Sequence, residues 1–294
     1  MKPPPFEYAA PASVDEALEL LGPAPDETSV LAGGQSLMPL LNMRMAQPRV
    51  VVDLGRVEGL DAVERTPEGQ LRLGSMVRQR RLETDPALRA EVPLLADAAR
   101  HVAHVAIRTR GTLGGSLAHA DPAAELPATI AALEGRLVVH GPNGARVISA
   151  GEFFLGPLMT AIEPGELLVA VELDPPPKDA GWSLQEVART HGAFALAGAA
   201  ALVHVGADGR IDRARLALLG VGSVPYVPDW LDEMGVGEAP EESLFRRIGE
   251  RVRDEVAPFD DVHATAGYRR RVAAVVTARA LAAAAARGNR RGPA

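Results

Sequence analysis

Apolar and polar positions along the chain switch repeatedly between the two periods of regular structure. Ser13 is followed three residues later by Glu16, a capping-box pattern, and Ala17, Leu18 and Leu21 supply an apolar stripe; a helix is predicted here, stopped by Gly22 and Pro23. Ser29–Ala32 reads as a short strand running into Gly33-Gly34, and Leu37–Met45 as a short helix. Arg49–Leu54 is β-branched and predicts a buried strand, whereas Gln70–Gly74 alternates like an exposed edge strand. Residues 85–105 carry Leu94, Leu95, Ala98, Val102 and Val105 on one side and predict a single helix. A further helix is expected from Asp121 through Leu133, then strands over 136–140 and 167–173.

The triple proline at 175–177 is a stiff connector that cannot join a sheet interior, so a domain boundary is expected near residues 174–182. Beyond it, apolar runs at 195–205 and 211–220 flank Gly206-Ala207-Asp208-Gly209, a hairpin signal. Helices are predicted over 243–256, with Ser243 as cap, and over 266–287, leaving a polar, basic tail at 288–294. The class read from this pattern is α+β in two domains.

Composition narrows the possibilities. The chain has 294 residues, 47% of them hydrophobic, enough for a sizeable core. Its net charge of −7 removes the basic field that general nucleic-acid binding needs. No stretch approaches the ~20 apolar residues of a membrane span, and the residues at 1–5 lack the apolar core of a signal peptide, so a cytoplasmic location is expected. There is no cysteine, so the chain offers neither a disulfide, a thiol nucleophile nor thiolates for an iron–sulfur cluster. His101 and His104 have the spacing of a helical metal pair, but no carboxylate stands in register beside them, and no metal site is expected.

The candidate chemistry lies in two glycine-pair loops, Leu31-Ala32-Gly33-Gly34-Gln35-Ser36 and Arg110-Gly111-Thr112-Leu113-Gly114-Gly115-Ser116. Glycine pairs let a backbone approach a ligand closely and turn amides toward anionic oxygens. No lysine follows either pair as a Walker loop requires, and neither is a Gly-x-Gly-x-x-Gly fingerprint. One such loop is most often a turn; two facing loops would make a diphosphate clamp. A side chain at Gly114 is then expected to intrude on the diphosphate and restrict the backbone.

Ala32–Pro39 and Ile107–Glu125 closely resemble the two FAD-binding motifs of the molybdenum-hydroxylase flavoproteins, a family that includes the medium subunit of aerobic carbon monoxide dehydrogenase and the FAD domain of xanthine dehydrogenase. Gln185–Gly198 resembles a third signature of that family. The resemblance implies an FAD-binding domain of the vanillyl-alcohol-oxidase type over 1–176, in two subdomains meeting near 55–60. A smaller α+β domain with an antiparallel sheet and helices would follow over 177–287.

By position, the resemblance implies that Ala32, Gly33, Gly34, Gln35 and Ser36, with Leu37 beside them, offer backbone amides to the diphosphate. Thr112, Gly114, Gly115 and Ser116 would close from the other side, the Thr and Ser hydroxyls donating. Glu125 would hold a ribose or ribityl hydroxyl, Leu168 would lie against the cofactor, and Val102 and Ala103 would pack nearby. Gln185 stands where some members carry a lysine near the flavin, and Ala193 where an acid is common. Phe194 reads equally as a core aromatic or a flavin contact. Glu186 is expected at a solvated strand edge, His119 as a residue ordering the second loop by hydrogen bonding, Asp53 as a turn residue, and Arg78-Gln79-Arg80-Arg81 as a solvated face.

The resemblance further implies FAD as the chain's cofactor, with molybdopterin on a large partner subunit and [2Fe–2S] clusters on a small one, assembled as a dimer of heterotrimers. The missing cysteines fit that division. No nucleophile or acid–base residue for substrate chemistry is expected on this polypeptide. Two other classes remain open: a self-sufficient flavin-dependent oxidoreductase, and a non-enzymatic phosphate-ligand or assembly module.

Overall fold

The computed structural model describes residues 2–22 and 24–289. The chain opens with β1 (Glu7–Ala9), α1 (Val14–Leu21), β2 (Thr28–Leu31), α2 (Leu37–Asn42) and β3 (Val50–Asp53). These strands form a parallel sheet in the order β1-β3-β2. The Ser13 side chain accepts from the Glu16 amide, as the capping box requires, but the Glu16 carboxylate reaches back to the amide of Ala12 at 2.7 Å. Pro23, expected to help stop α1, lies outside the described residues. Asp53 is the turn residue expected of it: its side chain accepts from the Gly55 amide and, at 2.7 Å, from the Tyr8 hydroxyl.

The second sheet contains β4 (Val63–Arg65) and β5 (Leu71–Gly74), followed in the chain by α3 (Gln79–Thr84), α4 (Pro86–Glu91), α5 (Pro93–His101), α6 (Val105–Arg108), α7 (Leu113–His119) and α8 (Glu125–Ala132). Then come β6 (Arg136–Gly141), β7 (Gly144–Ser149), α9 (Ala150–Phe153), the small hairpin β8 (Phe154–Gly156) and β9 (Met159–Thr160), and β10 (Leu167–Leu173). The sheet order is β4-β5-β10-β6-β7, all antiparallel. β5 is therefore interior, not the exposed edge its alternation suggested. Leu71 and Leu73 are buried, and the polar face holds Arg72, paired with Glu172 of β10 at 2.5 Å.

The helix expected over 85–105 is three pieces. Val92 takes a non-helical conformation before Pro93, whose ring disfavours helix in the preceding residue. A second break falls at Val102 and Ala103, the latter at φ 39°. There the buried Arg108 guanidinium donates to both carbonyls, at 2.9 and 3.0 Å, while bonding Glu83 at 2.9 Å. The helix expected from Asp121 begins only at Glu125, because the Asp121 carboxylate caps a turn by accepting from the Ala123 amide.

The last portion pairs β11 (Gly181–Ala188), β12 (Ala195–Val205) and β13 (Ile211–Leu219) antiparallel, followed by α10 (Leu231–Gly235), α11 (Glu242–Glu255) and α12 (Ala266–Asn289). Ser243 lies inside α11, with Glu241 at the cap position and no side-chain capping bond. Residues 288 and 289 finish α12, and the rest of the expected tail, 290–294, lies outside the described residues.

This sheet is apolar on both faces for a reason visible in its alternation. Ala197, Ala199, Ala201 and Val203 pack with Phe245, Ile248, Val276 and Leu281 of the last helices. Leu184, Ala200 and Leu202 instead join the core of the preceding domain, with Leu95, Leu126, Ile130 and Phe153. Phe153 is fully buried in that core and meets Phe154 edge-on, ring centroids 5.1 Å apart. Phe153→Ala is expected to cost about 3–5 kcal/mol, read as a lower urea midpoint with an unchanged slope; loss below ~1 kcal/mol would contradict the packing described.

Candidate functional site

The two glycine loops meet. β2 ends at Leu31 and hands the chain to Gly33, whose position leaves no room for a side chain. A Cβ there would stand 2.4 Å from the Arg110 carbonyl oxygen and 2.7 Å from the Gly111 Cα. The loops therefore touch backbone to backbone over the mouth of a cavity of about 730 Å³, within the size range of sites for sizeable ligands. Of the sixteen residues expected at the site, fifteen line it: Ala32, Gly33, Gly34, Gln35, Ser36, Leu37, Val102, Ala103, Thr112, Gly114, Gly115, Ser116, Glu125, Leu168 and Phe194.

The loops contribute different chemistry. Among the described residues, no protein group accepts from the backbone amides of Gly33, Gly34, Gln35 or Ser36. Most amides of the second loop are already held within the protein: Leu113 donates to the Val77 carbonyl, Gly114 to Ser75 at 2.7 Å, Gly115 to Thr112 Oγ1 at 3.0 Å, and Ser116 to the Thr112 carbonyl. What it presents to the cavity is the Thr112 and Ser116 hydroxyls. Gly114 is needed on the protein side. A Cβ there would fall 2.4 Å from Ser75 Cβ, so the expected intrusion on the ligand is replaced by a clash with the strand end that supports α7. Its φ is also not positive, so no left-handed backbone demands glycine.

Gln185 does not line the cavity. Successive strand residues face opposite ways, and Gln185 bonds Ser183 Oγ at 3.1 Å on the face whose next member, Val187, packs with the last helices. The same alternation turns Glu186 inward. It is not a solvated edge: its side chain is 12% exposed, and its Oε1 lies 3.1 Å from His101 Nδ1, because α5 covers that face of β11. His101 is thereby raised, first by this hydrogen bond. His104 stacks on His191, ring centroids 5.8 Å apart, and no metal-binding cluster occurs among the described residues.

Phe194 is 64% exposed at the cavity rim, which removes the core reading. His119 lines the cavity and its ring makes no hydrogen bond to the second loop among the described residues, so its side chain does not order that loop as expected. Gln79 was expected on a solvated face but is buried behind Gly111: its amide donates to the Gly111 carbonyl, and its Nε2 reaches the Thr112 carbonyl at 3.5 Å. Burial first, then the charge of Glu186, pushes the Glu125 carboxyl up to about 7.

Sequence reasoning missed Ser75, Gln79, Asp121, Thr160 and Ile162 in the wall. They come from strand ends, turns and the start of α3, brought together only by folding. Asp121, in a run already quoted beside the second loop, was the one legible in advance.

Comparison with known proteins identifies the family to which this chain belongs. Residues 4–176 match the model of the FAD binding domain in molybdopterin dehydrogenase, and residues 182–284 match the CO dehydrogenase flavoprotein C-terminal domain. The chain belongs to the FAD-binding medium subunits of the molybdenum hydroxylase family. Caffeine dehydrogenase subunit beta of Pseudomonas sp. (strain CBB1) is 42% identical, over 98% of this chain and 97% of its own length. The solved structure of quinoline 2-oxidoreductase from Pseudomonas putida 86 contains a chain 38% identical, with a TM-score of 0.92 over 97% of this chain and 99% of that one. Carbon monoxide dehydrogenase from Hydrogenophaga pseudoflava contains one 34% identical, with a TM-score of 0.94 over 98% and 99%. FAD is the cofactor of this family's domain, and molybdopterin and iron–sulfur clusters belong to other subunits.

The cavity fits that cofactor. Four amides without protein acceptors face a wall bearing two hydroxyls, a donor set suited to diphosphate oxygens. Gly33→Ala is expected to force the loops apart and lower the flavin-to-protein absorbance ratio at least ~10-fold at limiting FAD, equivalent to about 1.4 kcal/mol of binding. Full flavin content in that variant would contradict the loop contact as the clamp. Gly114→Val, clashing within the protein, should also lower the melting temperature.

Proposed function

We propose that this chain is the electron-transfer subunit of a molybdenum-containing hydroxylase complex, in which an iron–sulfur subunit delivers electrons to the FAD held here and an external acceptor removes them. A molybdopterin subunit would carry out the substrate oxidation. The observation that supports this most directly is a diphosphate-sized clamp built on a chain with no cysteine: the cofactor site is present, and the ligands for the clusters that must feed it are not. Bound flavin supplies one- and two-electron transfer. The residues bind and orient: first-loop amides and second-loop hydroxyls hold the diphosphate, Leu168 and the turn at Val102 and Ala103 wall the cavity, and Phe194 stands at its rim.

Binding through 1–176 in two subdomains, with 177–287 as a covering domain, agrees with the separate parallel and antiparallel sheets and with the third sheet packed on the second. The site assignments fit the same reading, Gln185 excepted. A small iron–sulfur subunit and a large molybdopterin subunit, each copy paired with another, complete the proposed assembly.

The purified chain mixed with FAD and then freed of unbound flavin by gel filtration should keep flavin bands near ~370 and ~450 nm but leave organic substrates of the family untouched. Co-expressed with its cysteine-rich and molybdenum-bearing partners, it should bleach when substrate is added. Bleaching by substrate in the isolated chain would instead support a self-sufficient flavoenzyme.

A further inference from the structure

Two acids and a histidine from three elements gather where the two domains join, and one of the acids opens on the cavity. Glu125 begins α8, is 4% exposed and lines the cavity. Apart from its own backbone amide, no described residue hydrogen-bonds its carboxyl. Glu186 arrives on β11 from the other domain with Oε1 on His101 and a buried Oε2 that has no partner. His101, at the end of α5, favours the ionised form of Glu125 when it is protonated, while Asp121 and Asp97 add negative charge nearby. His119 of α7 lines the same cavity. Arg213 and Arg215, on β13 packed beside α8, pair with Glu134 just beyond its far end.

With both acids ionised, one half-buried histidine would face two buried carboxylates, leaving a buried charge uncompensated, which is costly. Glu186 has the counter-ion; Glu125 does not. The acid that stays neutral is the one facing the cavity. An ionised Glu125 could only accept, and would repel an anionic cofactor; a neutral one can donate. Resting on FAD as the ligand, we infer that Glu125 meets the cofactor as a neutral carboxylic acid, donating a hydrogen bond to an acceptor oxygen of FAD, while the Glu186–His101 pair from the opposing domain keeps it in that form. This reverses the direction of the hydrogen bond expected from sequence, in which the acid accepts from a ligand hydroxyl. Its raised titration agrees.

The consequence is a proton linked to cofactor retention. If the neutral form binds, affinity is level below the free group's midpoint, about 7, and falls roughly 10-fold per pH unit above it until the bound form itself ionises. The test is FAD titration of the full chain between pH 6 and 9, followed by quenching of flavin fluorescence. The wild type should show that fall; Glu125→Gln, permanently neutral and of the same shape, should be level and at pH 8 bind at least as tightly. Glu186→Gln, which removes the repelling charge, should move the break to lower pH, and it decides the matter should Glu125→Gln not fold. Wild-type affinity that is constant or rises with pH overturns the inference, as does a pH dependence that survives in Glu125→Gln or an unmoved break in Glu186→Gln. Absence of FAD binding at every pH overturns the cofactor reading itself.

Discussion

The backbone contact between Gly33 and the Arg110–Gly111 peptide is the constraint on which the site depends. It ties the end of the parallel sheet to the loop that leads into α7, and it tolerates no Cβ. Two supports hold the second loop in place from behind. Gln79 hydrogen-bonds the carbonyls of Gly111 and Thr112, and the Gly114 amide bonds the Ser75 carbonyl at the end of β5. Because most amides of the second loop are already held by protein acceptors, the donors without a protein acceptor are concentrated on the first loop. A binding surface divided this way costs little reorganisation on binding.

The C-terminal domain contributes more than a cover. Its sheet is filled on both sides, by α11 and α12 on one face and by the FAD domain's core on the other. That second face carries Glu186 to His101 and Glu125, so the domain junction and the cavity's acidic wall are one structure. The Arg108–Glu83 pair plays a comparable part across α3 and α6: two backbone carbonyls of a strained turn are held by one guanidinium, and that turn is cavity wall.

Signals that arise within a few residues were legible in the sequence. The capped first helix, the 206–209 hairpin, the triple-proline connector and both glycine loops depend on backbone chemistry that neighbouring residues specify. The facing of Gln185 and Glu186 follows from strand alternation, but only once it is known which layer covers each side. β5 read as an edge because its polar face is polar; β10 runs alongside and its Glu172 pairs with Arg72, so an interior strand can carry a charge. Gln79 left its expected solvated face because α3 buries it behind the second glycine loop, and of the two readings open for Phe194 the loop that holds it at the cavity rim excludes the core one.

By itself, then, the sequence determined most local elements, the two glycine loops and, through the absence of cysteine, that this chain offers no thiolate ligand for an iron–sulfur cluster. Tertiary structure decided which loop keeps amides without a protein acceptor, which glycine permits the contact between the loops and which the packing behind them, and which acid is paired. Those outcomes depend on distances between segments far apart in the chain, and burial across a domain junction sets charge states that no local pattern carries.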